Sequence, residues 1–331
     1  MLYQKIDETK IQCQACAHYC KILKNKTGFC GVRQNNRGSL KLLTYGRPSA
    51  INIDPIEKKP LYHFLPGSDI LSFGTFGCNF KCDFCQNWNI SQIRGNTHFD
   101  SIDYLPPKQA VAMAKEKNIS SIAFTYNEPT IWAEYTVDVA KIAKKSGIKI
   151  IYVSNGYLSK ECREFIVPFL DAINIDLKSF SPEFYLRTCG AKLKSVLETI
   201  EYLRAAQVWM EITTLVIPKA NDSKKELRKI AEFIASVDRN IPWHLSAFHG
   251  EFKMANHEST GMDKLLEAYE IGKKAGLNYV YIGNIKAGKY GNTYCPNCGE
   301  LVIERGYMSY EIKNMRTNVC LKCGQKIAGI F

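Results

Sequence analysis

Ile70-Leu71-Ser72-Phe73-Gly74-Thr75-Phe76-Gly77-Cys78-Asn79-Phe80-Lys81-Cys82-Asp83-Phe84-Cys85 is an apolar run that ends in a loop carrying three cysteines with spacing C-x3-C-x2-C. Ile70–Gly74 reads as a strand, so the three thiolates follow directly on its end. A [4Fe–4S] cluster is usually held by four cysteine thiolates. Three close ligands with no fourth beside them imply a cluster with one iron open to a ligand that is not protein, and so a catalyst rather than an electron carrier. A zinc site completed by a distant fourth ligand is the alternative. It is disfavoured because zinc sites use paired C-x2-4-C or Cys/His arrangements.

Outward from this run, short apolar segments alternate with amphipathic ones. Strands are expected at 70–75, 120–126, 148–154, 171–177, 209–217, 242–248 and 278–283, several of them apolar almost throughout, as strands covered on both faces are. Between them lie helix-period faces: Ile131, Tyr135, Val139 and Ile142; Leu193, Val196, Leu197, Ile200 and Leu203; Leu227, Ile230, Ala231 and Ile234; Met262, Leu265, Leu266 and Tyr269. Repeated strand–helix units imply an α/β fold with a parallel sheet and right-handed crossovers. Periodicity alone leaves a barrel and a doubly wound sheet both open.

The chain has 331 residues, a formal net charge of +12 and 13 cysteines. No stretch approaches the roughly 20 apolar residues needed to span a bilayer, and the N-terminus lacks the apolar centre of a secretory signal. A cytoplasmic protein without membrane attachment is expected. Cytosolic thiols are kept reduced, and eleven of the cysteines cluster at 13–30, 78–85 and 295–323, which favours metal ligation over disulfides. The positive charge suggests an anionic partner, nucleic acid among them, or simply a solvated basic surface.

Both ends differ from the core. Cys295, Cys298, Cys320 and Cys323 form two C-x2-C pairs, a zinc-ribbon pattern serving as a structural staple, with rubredoxin-like iron as the weaker reading. Cys13, Cys16, Cys20 and Cys30 have spacing C-x2-C-x3-C-x9-C. They can close a zinc site, with His18 as a competing ligand, or hold an auxiliary [4Fe–4S] cluster, and zinc is slightly favoured. The expected organisation is a four-cysteine segment at 1–67, a core at 68–290 and a zinc ribbon at 291–331.

The loop Gly77–Cys85 resembles the signature loop of radical S-adenosylmethionine (radical SAM) enzymes. Together with Pro55-Ile56-Glu57-Lys58-Lys59-Pro60-Leu61-Tyr62-His63-Phe64 and Gln86-Asn87-Trp88-Asn89-Ile90-Ser91, it resembles the AmmeMemoRadiSam system subgroup, relatives of pyruvate formate-lyase activating enzyme. The resemblance implies a partial (β/α)6 TIM-like barrel whose reactive groups gather at the C-terminal strand ends. It further implies that S-adenosylmethionine chelates the open iron held by Cys78, Cys82 and Cys85 and is cleaved reductively to a 5′-deoxyadenosyl radical, with an external electron donor.

Further site residues follow from the same resemblance. Phe84 matches the aromatic position against the adenine, with core packing as its other reading. Phe124-Thr125-Tyr126-Asn127-Glu128-Pro129 stands where activating enzymes have Gly-Gly-Glu-Pro, so Asn127 and Glu128 are expected to receive the ligand's amino group. Tyr126 and Asn127 depart from the glycines, and Glu128-Pro129 also suits a helix start. Glu128→Gln is accordingly expected to weaken ligand binding far more than it lowers the melting temperature. Ser154-Asn155-Gly156 resembles the family's Thr-Asn-Gly beside the ligand. Asp176-Leu177-Lys178 resembles Asp-Leu-Lys, with an Asp176–Lys178 ion pair as the structural alternative. His249 is a candidate substrate contact at the same rim, or a structural histidine.

The function expected is radical modification or activation of a protein substrate. Radical SAM chemistry on RNA or a small molecule is the alternative. A non-catalytic metal and nucleic-acid binding protein would have no need of polar groups at strand ends.

Overall fold

The quoted apolar run forms strand β1 (Asp69–Gly74), in which every residue after Asp69 is buried. Six further strands follow: β2 (Ser121–Phe124), β3 (Lys149–Ser154), β4 (Ala172–Asp176), β5 (Trp209–Val216), β6 (Trp243–Ala247) and β7 (Val280–Gly283). A helix lies between each consecutive pair: α1 (Pro107–Glu116), α2 (Ala133–Lys144), α3 (Lys160–Ile166), α4 (Leu193–Ala205), α5 (Lys224–Val237) and α6 (Met262–Lys274). This is the α/β alternation expected, in a computed structural model that describes residues 1–93, 99–306 and 310–331.

The chain divides into two compact units, each assembled from separate segments. The first comprises Met1–Asp54, Asp69–Ile173 and Leu186–Val208; the second comprises Pro55–Ser68, Asn174–Tyr185 and Trp209–Phe331. In the first, β1, β2 and β3 are parallel neighbours, with Leu71 opposite Ile122 and Ser121 opposite Lys149. In the second, β5, β6 and β7 are parallel neighbours, with Ile212 opposite Trp243 and Trp243 opposite Val280. Strands in such sheets are covered on both faces, which is why they read as unbroken apolar runs.

The helices begin and end where local chemistry dictates. Ser223 caps α5 by accepting from the Glu226 backbone N–H at 3.2 Å, and the predicted face of Leu227, Ile230, Ala231 and Ile234 is buried. Ile131, expected on the face of α2, instead lies in the 3-10 turn Pro129–Trp132 that precedes it. The proline at its first position sets this tight entry.

The first unit opens with short antiparallel strands, Tyr3–Lys5, Lys10–Cys13 and Lys21–Leu23, followed by the hairpin Arg33–Asn36 and Ser39–Leu42. The second closes with small antiparallel sheets packed on an apolar cluster that includes Tyr279, Tyr281, Val302, Ile303 and Ile327.

Candidate functional site

The cysteine loop leaves the C-terminal end of β1, and polar residues at the ends of β2 and β3 hold it. Asn127 gives its whole carboxamide to the loop. Its Oδ1 accepts from the Thr75 N–H at 3.2 Å, and its Nδ2 donates to the carbonyls of Thr75 at 2.9 Å and Gly77 at 2.6 Å. Asn155 donates from Nδ2 to Oδ1 of the buried Asn79 at 2.7 Å. The same Nδ2 lies 3.9 Å from Cys78 Sγ, which also accepts from the Phe80 N–H at 3.3 Å. N–H donors aimed at a sulfur stabilise the thiolate and tune a bound cluster. The donor set therefore fits an iron–sulfur cluster at Cys78, Cys82 and Cys85. Phe84, one residue before Cys85, is 4 % exposed.

Glu128 is fully buried and its carboxylate collects donors of this chain. Oε1 accepts from the Thr130 N–H at 2.9 Å, from the Thr130 hydroxyl, and from the Ser154 hydroxyl at 2.8 Å. Oε2 accepts from the Asn155 N–H at 2.8 Å. Burial raises the carboxyl above the usual range while these hydrogen bonds pull it back. The helix-start role is thus present, with Pro129 directly after Glu128. The expected site residues Asn127, Glu128, Ser154 and Asn155 come together around the loop.

Tyr126 keeps a left-handed backbone, φ 72°, at the position where the resemblance places glycine. Such a conformation costs a bulky residue about 1–3 kcal/mol and persists only when the surroundings impose it. Here Asn87 Nδ2 donates to the Tyr126 carbonyl at 2.6 Å, and the phenol donates to Asp54 at 2.9 Å and accepts from Asn52 at 3.0 Å.

The N-terminal cysteines pack against the same loop. Gly77 lies so close to Cys30 that a Cβ there would stand 2.3 Å from the Cys30 carbonyl oxygen, and its φ of +81° also favours glycine. His18 Nε2 hydrogen-bonds the Asn79 carbonyl at 2.8 Å, which turns that nitrogen away from metal ligation. Cys13, Cys16 and Cys30 are buried and Cys20 is partly exposed. Burial, together with the thiols of Cys13, Cys30 and Cys20, pushes the Cys16 thiol well above its usual value.

In the second unit, Lys178 Nζ donates to Asp176 at 3.1 Å, the period-two ion pair that the sequence allowed. His249 is exposed, with Nε2 3.3 Å from the Asn284 carbonyl. Cys295, Cys298, Cys320 and Cys323 bring their sulfurs within 4.8 Å of one another, with Cys295–Cys323 at 3.6 Å and Cys298–Cys320 at 3.8 Å. A tetrahedral ion with metal–sulfur bonds of about 2.3 Å needs sulfurs about 3.8 Å apart, so this set fits one ion. Each knuckle closes alike: the Gly299 N–H donates to the Cys295 carbonyl and the Gly324 N–H to the Cys320 carbonyl, both at 2.9 Å.

Sequence reasoning missed two polar centres. Asn79 sits inside the cysteine loop, and its place between Cys78 and Cys82 was the available signal. The other is Glu211, fully buried, which accepts from the backbone N–H groups of Tyr62 (2.9 Å) and His63 (2.8 Å), from Trp209 Nε1 (3.1 Å) and from His244 Nε2 (2.7 Å). No motif announced it. It shows why the stretch Tyr62-His63 is distinctive: that segment is pinned to β5 by its backbone.

Comparison with known proteins agrees with this geometry. The Radical SAM superfamily profile matches residues 73–234. An uncharacterized protein of Methanocaldococcus jannaschii is 39% identical over 332 residues, 99% of this chain and 98% of that protein. The pyruvate formate-lyase-activating enzyme of Clostridium pasteurianum is 22% identical over 165 residues, 50% of this chain and 68% of that protein. Among solved structures, a radical SAM methyltransferase from Sphaerobacter thermophilus shares the fold with a TM-score of 0.51 and 14% identity, over 66% of this chain and 67% of that one. A three-cysteine loop beyond a parallel strand, braced by the ends of the next two strands and matched along the chain, makes this protein an enzyme that belongs to the radical SAM superfamily.

Proposed function

We propose that this chain is an activating-enzyme-like radical SAM enzyme of the AmmeMemoRadiSam type that modifies or activates a protein. The observation that carries the reading is the bracing of the Cys78–Cys85 loop by Asn127 and Asn155, at the strand ends where Glu128 and Ser154 also converge. A [4Fe–4S] cluster bound there supplies one-electron cleavage of S-adenosylmethionine to a 5′-deoxyadenosyl radical. The protein's own work is to hold the three thiolates, to present Phe84 and the buried polar groups to the ligand, and to limit access of water. The Asn127 side chain serves the loop, which leaves its backbone carbonyl for the ligand's amino group. On the resemblance alone, Asp176 and Lys178 are proposed as ligand contacts and His249 as a substrate contact.

We read the C-terminal four-cysteine set as a structural zinc ribbon. A cytoplasmic setting is proposed from the clustering of eleven of the thirteen cysteines at metal-ligand spacings; among the described residues no helix is long and apolar enough to cross a membrane. A protein substrate is favoured because the activating enzyme among the relatives is named for acting on one.

The experiment is anaerobic reconstitution with iron and sulfide, addition of S-adenosylmethionine and dithionite, and chromatography of 5′-deoxyadenosine. The wild type should form it, and Cys78→Ala, Cys82→Ala and Cys85→Ala should each form none. Product from any of these variants would refute the ligand assignment. Deuterium-labelled candidate proteins and RNA, screened for label in 5′-deoxyadenosine, then separate a protein substrate from a nucleic acid.

A further inference from the structure

The chain holds three cysteine groups, and their sulfur spacing separates them. Only Cys295, Cys298, Cys320 and Cys323 form, among the described residues, a group of three or more metal-ligating side chains with ligand atoms all within 4.8 Å. No three of Cys13, Cys16, Cys20 and Cys30 meet that spacing, and neither do Cys78, Cys82 and Cys85 together. One tetrahedral ion cannot bridge sulfurs set much wider than about 3.8 Å. A four-iron cubane can, because irons and sulfides stand between each pair of thiolates. Like the radical SAM loop, the N-terminal set thus lacks the tight spacing of the ribbon.

Local hydrogen bonds nonetheless draw the segments that carry these four residues together. The Cys13 N–H donates to the Cys20 carbonyl at 2.9 Å, and the turn that brings Cys30 back is closed by Gly28 N–H to the Arg33 carbonyl at 2.9 Å. Two sulfurs already receive donors: Arg33 Nε reaches Cys13 Sγ at 3.2 Å, and the Phe29 N–H reaches Cys20 Sγ at 3.5 Å. Arg33 is 1 % exposed. A buried guanidinium against a ligand sulfur favours the more negative, reduced state of a bound cluster.

This cysteine segment touches both residues that flank Cys78. The Cys30 carbonyl packs on Gly77, and His18 binds the Asn79 carbonyl. Ala17 N–H and Asn79 Nδ2 share the Tyr157 carbonyl, at 3.2 and 3.5 Å. Packed atoms therefore connect the two cysteine groups. Lys21, Lys24 and Lys26, all exposed, border the N-terminal group and suit an acidic partner.

We infer that Cys13, Cys16, Cys20 and Cys30 hold a second [4Fe–4S] cluster that receives single electrons from an acidic, low-potential donor protein and passes them to the cluster at Cys78, Cys82 and Cys85. The transfer moves one electron and no atom. The donor protein is oxidised by one electron, the second cluster is reduced and reoxidised in turn, and the loop's cluster ends reduced by one. This inference rests on the radical SAM reading for its acceptor, while the metal identity stands on the N-terminal residues themselves.

The test uses the full chain, reconstituted anaerobically, with iron, sulfide and zinc counted and paramagnetic resonance recorded after reduction. The wild type should carry about eight irons, and a Cys78→Ala/Cys82→Ala/Cys85→Ala variant about four, with a reduced signal insensitive to S-adenosylmethionine. The reciprocal Cys13→Ala/Cys20→Ala variant should lose about four irons and keep a signal that S-adenosylmethionine alters. A triple variant with no iron, whatever metal replaces it, overturns the inference. So does a reciprocal variant with the wild type's full iron content. Failure of the functional reading looks different: a wild type whose reduced signal ignores S-adenosylmethionine throughout.

Discussion

Asn155 donates its side-chain amide to Asn79 at 2.7 Å, while its own backbone N–H donates to the Glu128 carboxylate at 2.8 Å. One residue at the end of β3 thereby ties the cysteine loop to the end of β2. The placement of Cys78 consequently depends on a strand more than seventy residues later in the chain.

Asn155→Ala leaves the buried Oδ1 of Asn79 without its donor, at a cost of about 1–3 kcal/mol. The expected outcome is a lowered melting temperature and reduced iron retention after gel filtration of the reconstituted protein. Unchanged iron content would show that the loop holds its shape without this brace.

Glu128→Gln is now expected to do more than weaken ligand binding. All the donors around the carboxylate belong to this chain, so one side of the new amide must face an N–H or O–H that it cannot accept. The unsatisfied group costs about 1–3 kcal/mol, and the melting temperature should fall visibly. The expectation of a nearly silent fold counted only the small cost, about 0.3–1 kcal/mol, of losing a charge at a helix start. Thermal denaturation of the metal-free protein decides between them.

Glu134→Ala should be among the most destabilising single changes in the first unit. Arg33 Nη1 and Nη2 each meet Glu134 at 2.7 Å, and both residues are buried. Burial alone would raise the Glu134 carboxyl; the adjacent guanidinium outweighs this and holds it down at about 2. Removing it strands a buried cation, a loss of about 3–5 kcal/mol. The double variant Glu134→Ala/Arg33→Met should recover part of that in urea denaturation. A double variant no more stable than the single one would locate the cost in packing instead.

His63 carries a pH signature in the second unit. Its ring is fully buried between the Ala328 carbonyl at 2.6 Å and the Tyr281 hydroxyl at 2.6 Å, and burial pushes its pKa down to about 4. A group depressed on folding stabilises the fold fully above its unfolded value, about 6.5. That contribution, about 3 kcal/mol, is lost as pH falls from there toward 4. Melting temperatures recorded from pH 7 to 4 should decline more steeply for the wild type than for His63→Gln. Parallel declines would show that the ring is not kept neutral by the fold.

Cys298→Ser should release the C-terminal metal. Elemental analysis of the wild type, purified without oxygen, should give about one zinc per chain, and the variant almost none. Iron in that position after purification would identify a rubredoxin-like centre.

The strands and the cysteine loop were legible because each is encoded within a few adjacent residues. Parallel strands buried on both faces are unbroken apolar runs, so β1 through β7 fall within two residues of the expected bounds at either end. C-x3-C-x2-C and the paired C-x2-C are spacings, and spacing is what a sequence displays. The Asp176–Lys178 pair was legible for the same reason, since alternate residues of a strand share a face.

Asn79 with Asn155, Arg33 with Glu134, and Glu211 with Tyr62, His63 and His244 are pairings between segments far apart in sequence. Nothing in the residues themselves names the partner, because a buried polar group is satisfied by whichever donor the fold delivers. The metals divide in the same way. Sequence alone showed that three groups of thiols gather along this chain. How far apart the sulfurs stand, and therefore whether a group suits one ion or a cubane, is a distance in space that only the folded backbone sets.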